Sequence, residues 1–451
     1  MHRSRFRAVM AAAVAVAMVV MYPVASSASR SGAGAATDLF VPPPHPAAVQ
    51  QISGLLAVND RTNAARLRAM IRTPQAVWLE AGTPADVKKE AQTTMRQAAR
   101  QGGTLPVLVV YNIPFRDCAQ FSAGGATNAD EYLAWVDGLA EGIGDSEAIV
   151  ILEPDGLGII PWYTTINGDL EWCQPDEADP QTAAEDRFFM LNEAVDRLNQ
   201  QPGVSVYLDA THSAWLGVGD AADRLVKAGV QRAAGFFVNV SNYRLTEHLE
   251  KYGTWISSCI AFANNPEDGG WRLGHYEWCA SQYHPADPND FSTWHLTDQW
   301  YADNLGSAVP TTHFVIDTSR NGQGPWTPPA YPDPQDWCNP PGRGLGLRPT
   351  TATGDPLIDA YLWVKTPGES DGECTRGLGP PGTVDPEWGQ VDPGAGQWFA
   401  AQALRAGGWI PPESDHLPPE QSTPGDIALY SCLQRRGKLI FETEELLELT
   451  R

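Results

Sequence analysis

The run AIVILEPDGLG, residues 148–158, opens with five apolar residues and then breaks into Glu, Pro, Asp and Gly. Five apolar residues without polar alternation read as a strand buried on both faces, and such strands belong to parallel sheets covered by helices. The same form recurs in AVWLE (76–80), LPVLVVYNI (105–113), VSVYLDA (204–210), AAGFFVNV (233–240), HFVID (313–317) and AYLWVK (360–365). Between these runs lie ADVKKEAQTTMRQAARQ (85–101), ADEYLAWVDGLAEGI (129–143) and AAEDRFFMLNEAVDRLNQ (183–200). These carry Asp or Glu early and apolar residues three and four apart, which is a helical pattern. Strand and helix alternate, so the sequence predicts an α/β class with a parallel sheet. Seven or eight such units close more naturally into a barrel than into an open sheet.

Outside the alternating region the chain has distinct ends. Arg3, Arg5 and Arg7 precede an apolar run from about Ala8 to Val24, followed by Ser26, Ser27 and Ala28. This is the pattern of a secretory signal peptide, expected over residues 1–28. A membrane anchor needs about 20 uninterrupted apolar residues, and Pro23 and the small residues come too early for that. The mature protein is therefore expected to be secreted and extracellular, with no membrane partner. Residues 29–48 are rich in Ser, Gly, Ala and Pro and predict a flexible leader. A single barrel is expected over 49–410, and a tail of unassigned role over 411–451. Two stretches without alternation, 244–310 and 375–397, are expected as long loops over the carboxyl ends of the strands.

Acidic residues outnumber basic ones, 54 to 31. That balance repels phosphate backbones and leaves a neutral polymer unaffected, so nucleic acid is excluded as an expected partner. The 16 tryptophans are a heavy load for such a chain and suggest flat faces for stacking on pyranose rings, besides core packing. Seven cysteines in an exported chain point to disulfides. Sequence order does not fix their pairing, but neighbouring pairs close loops of modest length. Cys118–Cys173, Cys259–Cys279 and Cys338–Cys374 are the expected bridges, leaving Cys432 in the tail. No CxxC or HxxxH spacing occurs, and neither metal nor cofactor is expected.

In a barrel the active site is built at the carboxyl ends of the strands. There the sequence places YNIPFRDC (111–118), LEPDGLG (152–158), LDATHSAW (208–215) and WVKTPGESDG (363–372). Each carries an aspartate: Asp117, Asp155, Asp209 and Asp371. A lone Asp after a strand is most often a turn former or helix cap. Four converging on one rim, beside Arg116, His212 and Lys365, would repel one another and raise the pKa of at least one into the range of a general acid. Nucleophilic serine chemistry has no support, because there is no G-x-S-x-G and Ser213 lies next to His212 in sequence. No glycine loop with a following lysine offers a phosphate site.

Taken in order, YNIPFRDC, ILEPDGLG, YLDATHSAW, FFVNVSNYR, IDTSRNGQGPW, DWCNPPGRGLG and LWVKTPGESDG resemble glycoside hydrolase family 6, the inverting cellobiohydrolases and endoglucanases. The resemblance covers about Gln75 to Gly408. It implies a distorted seven-stranded parallel β/α barrel, with long loops over the C-terminal face of the strands. By motif, Asp155 matches the acid that protonates the glycosidic oxygen, and Asp117 the neighbour that keeps it protonated and helps relay a proton. Asp371 matches the proposed base, an assignment disputed in the family because a water chain toward the Asp117 position could serve. Tyr111 and Arg116 match residues around the reacting sugar, and Asp209 a carboxylate that supports binding. Lys365 and Glu369 fall on sugar-binding positions. His212, Asn239 and Arg320 match residues near the site, and Trp78, Trp215 and Trp337 resemble sugar-stacking tryptophans. Thr211 stands where the family usually has glycine, and Val218 replaces an aromatic of fungal relatives.

The resemblance implies a β-1,4-glucanase acting on cellulose and cellooligosaccharides, expected as a monomer. The segments 268–295 and 377–398 resemble loops of bacterial cellobiohydrolases, which favours release of cellobiose from non-reducing ends. Endoglucanase action is the runner-up. A glucan-binding protein that has lost activity is a more distant alternative, and Asp117, Asp155 and Asp371 are all present against it.

Overall fold

A computed structural model of the chain describes residues 37–407. The expected signal peptide, the first part of the leader, the tail and Cys432 lie outside the described residues.

Seven short strands form one parallel sheet in sequential order: β1 Val77–Leu79, β2 Val107–Val110, β3 Ala148–Leu152, β4 Val204–Asp209, β5 Gly235–Val238, β6 His313–Asp317 and β7 Ile358–Leu362. The sheet curls into a distorted barrel whose first and last strands share no ladder. At this seam Ala76 N–H donates to Trp363 O at 2.9 Å, and Trp78 Nε1 to Val364 O at 2.8 Å.

Alternation along the strands sorts the core into two layers. Val107, Val109, Ile149, Ile151, Tyr207, Phe237, Val315, Ala360 and Leu362 form one cluster in the barrel interior. Residues of the other parity, such as Leu108, Val150, Leu208, Phe236 and Ile316, pack outward against helices. Both faces are therefore apolar, which is why the strands read as continuous hydrophobic runs. The helix Pro84–Arg100 begins in a capping box between Thr83 and Asp86 and lies against the helix Ala129–Ile143. Glycine is required in that contact, because a Cβ on Gly138 would stand 2.3 Å from Pro84 O.

Two sequence expectations are corrected here. Residues 37–48, expected in a flexible leader, belong to the folded body. Leu39 and Phe40 are buried, Leu39 pairs in parallel with Leu105, and a helix, Pro46–Ala57, begins at the end of the proline run. Proline there favours a helix start because its missing N–H would have no partner in the first turn anyway. Likewise, the stretch 244–310 is not irregular throughout. It holds the helices Thr246–Ala263 and His295–Asn304, the first burying Leu249, Tyr252, Ile256, Cys259 and Ile260 at helical spacing amid polar residues that masked the pattern.

All three expected disulfides are formed. Cys118–Cys173 joins the segments following β2 and β3, Cys259–Cys279 pins the 264–294 segment to its helix, and Cys338–Cys374 joins those following β6 and β7. Among the described residues no helix is long and apolar enough to cross a membrane.

Candidate active site

At the carboxyl ends of the strands several residues leave regular geometry. Asp117, Glu153, Asp155, Thr211 and Asn239 have φ of 58°, 54°, 63°, 54° and 73°. Left-handed backbone at non-glycine residues carries strain, and here it turns the chain sharply off the strands, bringing the Asp117 and Asp155 side chains to the barrel mouth.

The result is a groove of about 540 Å³. Asp117, Asp155 and Asp371 line it, together with Trp78, Tyr111, Arg116, His212, Trp215, Trp337, Lys365 and Glu369. Asp209 and Asn239, expected at the substrate, do not. Asp209 is buried behind the wall, where Oδ2 accepts the N–H groups of Leu157 and Gly158 at 3.3 and 3.2 Å and Oδ1 that of Thr211 at 2.8 Å. Its lone pairs are spent on shaping the turn that presents Asp155. Asn239 is fully buried, donating to Asp317 O at 2.9 Å and accepting from Arg244 N–H at 3.0 Å, which fixes the next loop.

The three groove aspartates occupy different electrostatic settings. No described residue donates a hydrogen bond to the Asp155 carboxyl; burial, then the charges of Asp209 and Asp117, push it well above the usual carboxylate range. Asp117 accepts Ser122 N–H at 2.6 Å, and burial still pushes it up to about 6. Asp371 is the reverse case. Arg320 grips both its oxygens, at 2.9 and 3.1 Å, while Tyr243 Oη and Asn339 N–H donate to Oδ2 at 2.9 and 3.0 Å. Although burial opposes it, Arg320 and then Lys365 hold this carboxyl below its ordinary value.

The other expected contacts divide by what their polar atoms are doing. Arg116 donates to the backbone carbonyls of Ser122, Glu80 and Tyr111 and lies over the Tyr111 ring, so its guanidinium braces the Asp117 loop. Trp78 is fixed edge-on to Tyr111, 5.5 Å between centroids, with Lys365 Nζ 5.6 Å from its own ring. His212 Nδ1 accepts Ala214 N–H, and burial with Arg244 holds its pKa down to about 3, so the ring is neutral. Burial raises Glu369 against the pull of Lys365. Arg320, set behind Asp371, does not line the groove.

One trio, Cys374, Asp385 and Asp392, brings potential ligand atoms within 4.8 Å of one another. Cys374 is committed to its disulfide and Asp385 to Arg376 at 2.8 Å, so the trio is not arranged as a metal site.

The sequence profile of glycosyl hydrolases family 6 matches residues 35–406, which takes in the whole barrel and every groove residue. The chain belongs to that family. Endoglucanase A of Cellulomonas fimi is 34% identical over 343 residues, covering 76% of this family 6 chain but 56% of its own length. The probable 1,4-beta-D-glucan cellobiohydrolase C of Neosartorya fischeri is 31% identical over 359 residues, covering 74% of this chain and 69% of its own. The endoglucanase Cel6 of Mycobacterium tuberculosis, solved with methyl-cellobiosyl-4-deoxy-4-thio-beta-D-cellobioside, is 34% identical with a TM-score of 0.57 over 82% of this chain and 96% of that one.

Several residues of this family 6 site escaped sequence reading. Trp172, half exposed, lines the groove from the segment tied down by Cys173. Its neighbour in a disulfide was the available signal. Glu153 accepts the N–H groups of Asn112 and Ile113 and is pushed by burial up to about 7. The motif EPD displayed this residue, but nothing in it told an inward glutamate from a turn former. Tyr243 and Asn339 reach Asp371 only through the tertiary fold.

Neither insertion behaves wholly as expected. Of 244–310 only Arg244 lines the groove, and of 375–397 only Ala395 and Gly396 do. The first packs beside Val218–Lys227 and the second against the Cys338 segment, with Trp388 Nε1 donating to Asn339 O at 2.8 Å.

Proposed function

We propose that this family 6 chain is a secreted β-1,4-glucan hydrolase that works with inversion at the anomeric carbon. The carrying observation is the pairing, in one groove, of Asp155, which no described residue hydrogen-bonds and which burial and neighbouring carboxyls push well above the usual range, with Asp371, whose oxygens Arg320, Tyr243 and Asn339 N–H hold and whose carboxyl lies below its ordinary value. Asp155 gives its proton to the glycosidic oxygen as the bond to the anomeric carbon breaks. A water attacks that carbon from the opposite face and yields its proton to Asp371, whose Oδ1 accepts from Arg320 and keeps a lone pair free. Asp117 carries a negative charge at neutral pH and thereby keeps Asp155 protonated. Trp78, Trp172, Trp215 and Trp337 offer ring faces for successive glucose units, and Lys365 and Glu369 bind hydroxyls beside Asp371.

Exo action with release of cellobiose is the mode we favour. Its support is a bridge across the mouth: the Phe121 ring, in the Asp117 segment, lies 6.0 Å from Trp337, and a Cβ on Gly372 would stand 2.5 Å from Phe121. A groove narrowed at that point favours entry by a chain end. Endo action has its own support in the endoglucanase names of relatives 34% identical and in a groove lining to which 264–294 contributes no residue. Proton NMR of cellotetraose hydrolysis should show the α anomer first; an initial β anomer overturns the inverting mechanism. On filter paper, a high ratio of soluble to insoluble reducing ends is expected, and a low ratio selects the endo reading.

A further inference from the structure

Asp371 is reached from three separate segments, and one of its partners has no place in the mechanism above. Tyr243 is buried, with 3% of its surface exposed, in the loop that follows β5. That loop is tightly specified. Asn239 Oδ1 accepts Arg244 N–H at 3.0 Å, Asn239 N–H donates to Thr211 O at 2.7 Å, Asn242 Oδ1 accepts Tyr243 N–H at 3.2 Å, and Ser241 adopts φ 59°. The Tyr243 ring lies 4.6 Å from the Arg320 guanidinium, the same group that pairs with Asp371. From this seat its hydroxyl donates to Asp371 Oδ2 at 2.9 Å. Tyr243 does not itself line the groove.

We propose that Tyr243 is a positioning residue for hydrolysis: its hydroxyl occupies Asp371 Oδ2, which leaves Oδ1 as the oxygen that receives the water and keeps the carboxylate ionised at acidic pH. This rests on the reading of Asp371 as the base. Oδ2 is filled by Tyr243, Arg320 Nη1 and Asn339 N–H, whereas Oδ1 meets Arg320 alone. The charged and titratable groups around the pair are Arg320, Lys365 and Arg376, all cationic, with Glu369 facing Lys365 and Glu80. Burial, together with the negative charge of Asp371, holds the Tyr243 phenol well above its ordinary value, so it remains a donor throughout the working range. A phenol that stays protonated stabilises the carboxylate and not the carboxylic acid, which lowers the pH at which Asp371 takes up a proton.

The test is the pH profile of kcat on cellotetraose. Tyr243→Phe keeps the ring on Arg320 and removes the donor. Its acid limb should move toward neutral pH by on the order of one unit, with kcat falling at acidic pH and KM unchanged. Incorporation of 3-fluorotyrosine at position 243 keeps the hydroxyl and makes it a stronger donor, so the acid limb should move the other way. This second variant serves also if Tyr243→Phe fails to fold. An acid limb that stays at the wild-type position in a folded variant overturns the proposal. Asp371→Ala separates the two ideas. Near-native kcat in Asp371→Ala defeats the base reading itself, whereas its loss alongside an unmoved limb in Tyr243→Phe defeats only the role of Tyr243.

Discussion

Asp155 and Asp371 share one groove and one chemical group, yet the fold pushes their pKa values in opposite directions. Around Asp155 the neighbours are carboxyl groups, Asp117 and Asp209, and no described donor reaches its oxygens. Around Asp371 the neighbours are Arg320, Lys365, Tyr243 and a backbone N–H. Burial alone would raise both. What separates them is the sign of the surrounding charge and the supply of donors, so acid and base are assigned by environment and not by residue type.

The largest effect should come from abolishing one side of this contrast. Asp155→Asn removes the carboxyl proposed to protonate the leaving oxygen, and kcat is expected to fall by about 10²–10⁴-fold. Cellooligosaccharide affinity, measured by calorimetry, should survive. Wild-type-like turnover in that variant would sink the assignment.

Asp117→Asn sharpens the comparison without erasing it. With a negative neighbour removed, Asp155 loses one reason to hold its proton, so its pKa drops. Activity depends on the protonated form, and the alkaline limb of kcat should therefore move to lower pH by about one unit or less. An alkaline limb displaced upward, or left in place, would show that Asp117 does not act on Asp155.

The smallest effect is on stability. Glu153 and Asp392 are raised to about 7, and Asp117 and Asp209 to about 6, each chiefly by burial. Unfolded carboxyls titrate near 4, so across about pH 4 to 7 the folded chain binds more protons than the unfolded one and loses stability as pH rises. His212, held down to about 3, works the other way below about 6.5, because only the unfolded chain takes its proton there. Asp371, held below its ordinary value, stabilises above the unfolded pKa and loses that contribution as pH falls. Four raised carboxyls outweigh these opponents, so Tm should decline from about pH 5 to pH 8. Calorimetric scans showing a rise over that interval would contradict the protonation scheme.

The parts of this protein legible in its sequence were those whose physics is local. Each apolar run became a strand because a residue buried on both faces must be apolar wherever it sits. Neighbouring cysteines paired, since short loops bring their ends together at small entropic cost. Helices with polar faces were visible, but Thr246–Ala263 was hidden by its Ser and Thr residues, and the helix at Pro46 by the Gly- and Pro-rich stretch before it.

That carboxylates stand at the ends of parallel strands follows from the linear chain alone, because a strand's exit is marked there by its turn residues. Packing in three dimensions sorted those that face the groove from those that do not. Asp209 and Asp155 look alike in sequence, each an aspartate after an apolar run, but one faces backbone N–H groups and the other the groove. Arg116, Asn239 and Tyr243 were likewise sorted by partners 5 to 128 positions away. Charge state and hydrogen-bond supply are set by neighbours in space, and a linear chain does not carry that neighbour list.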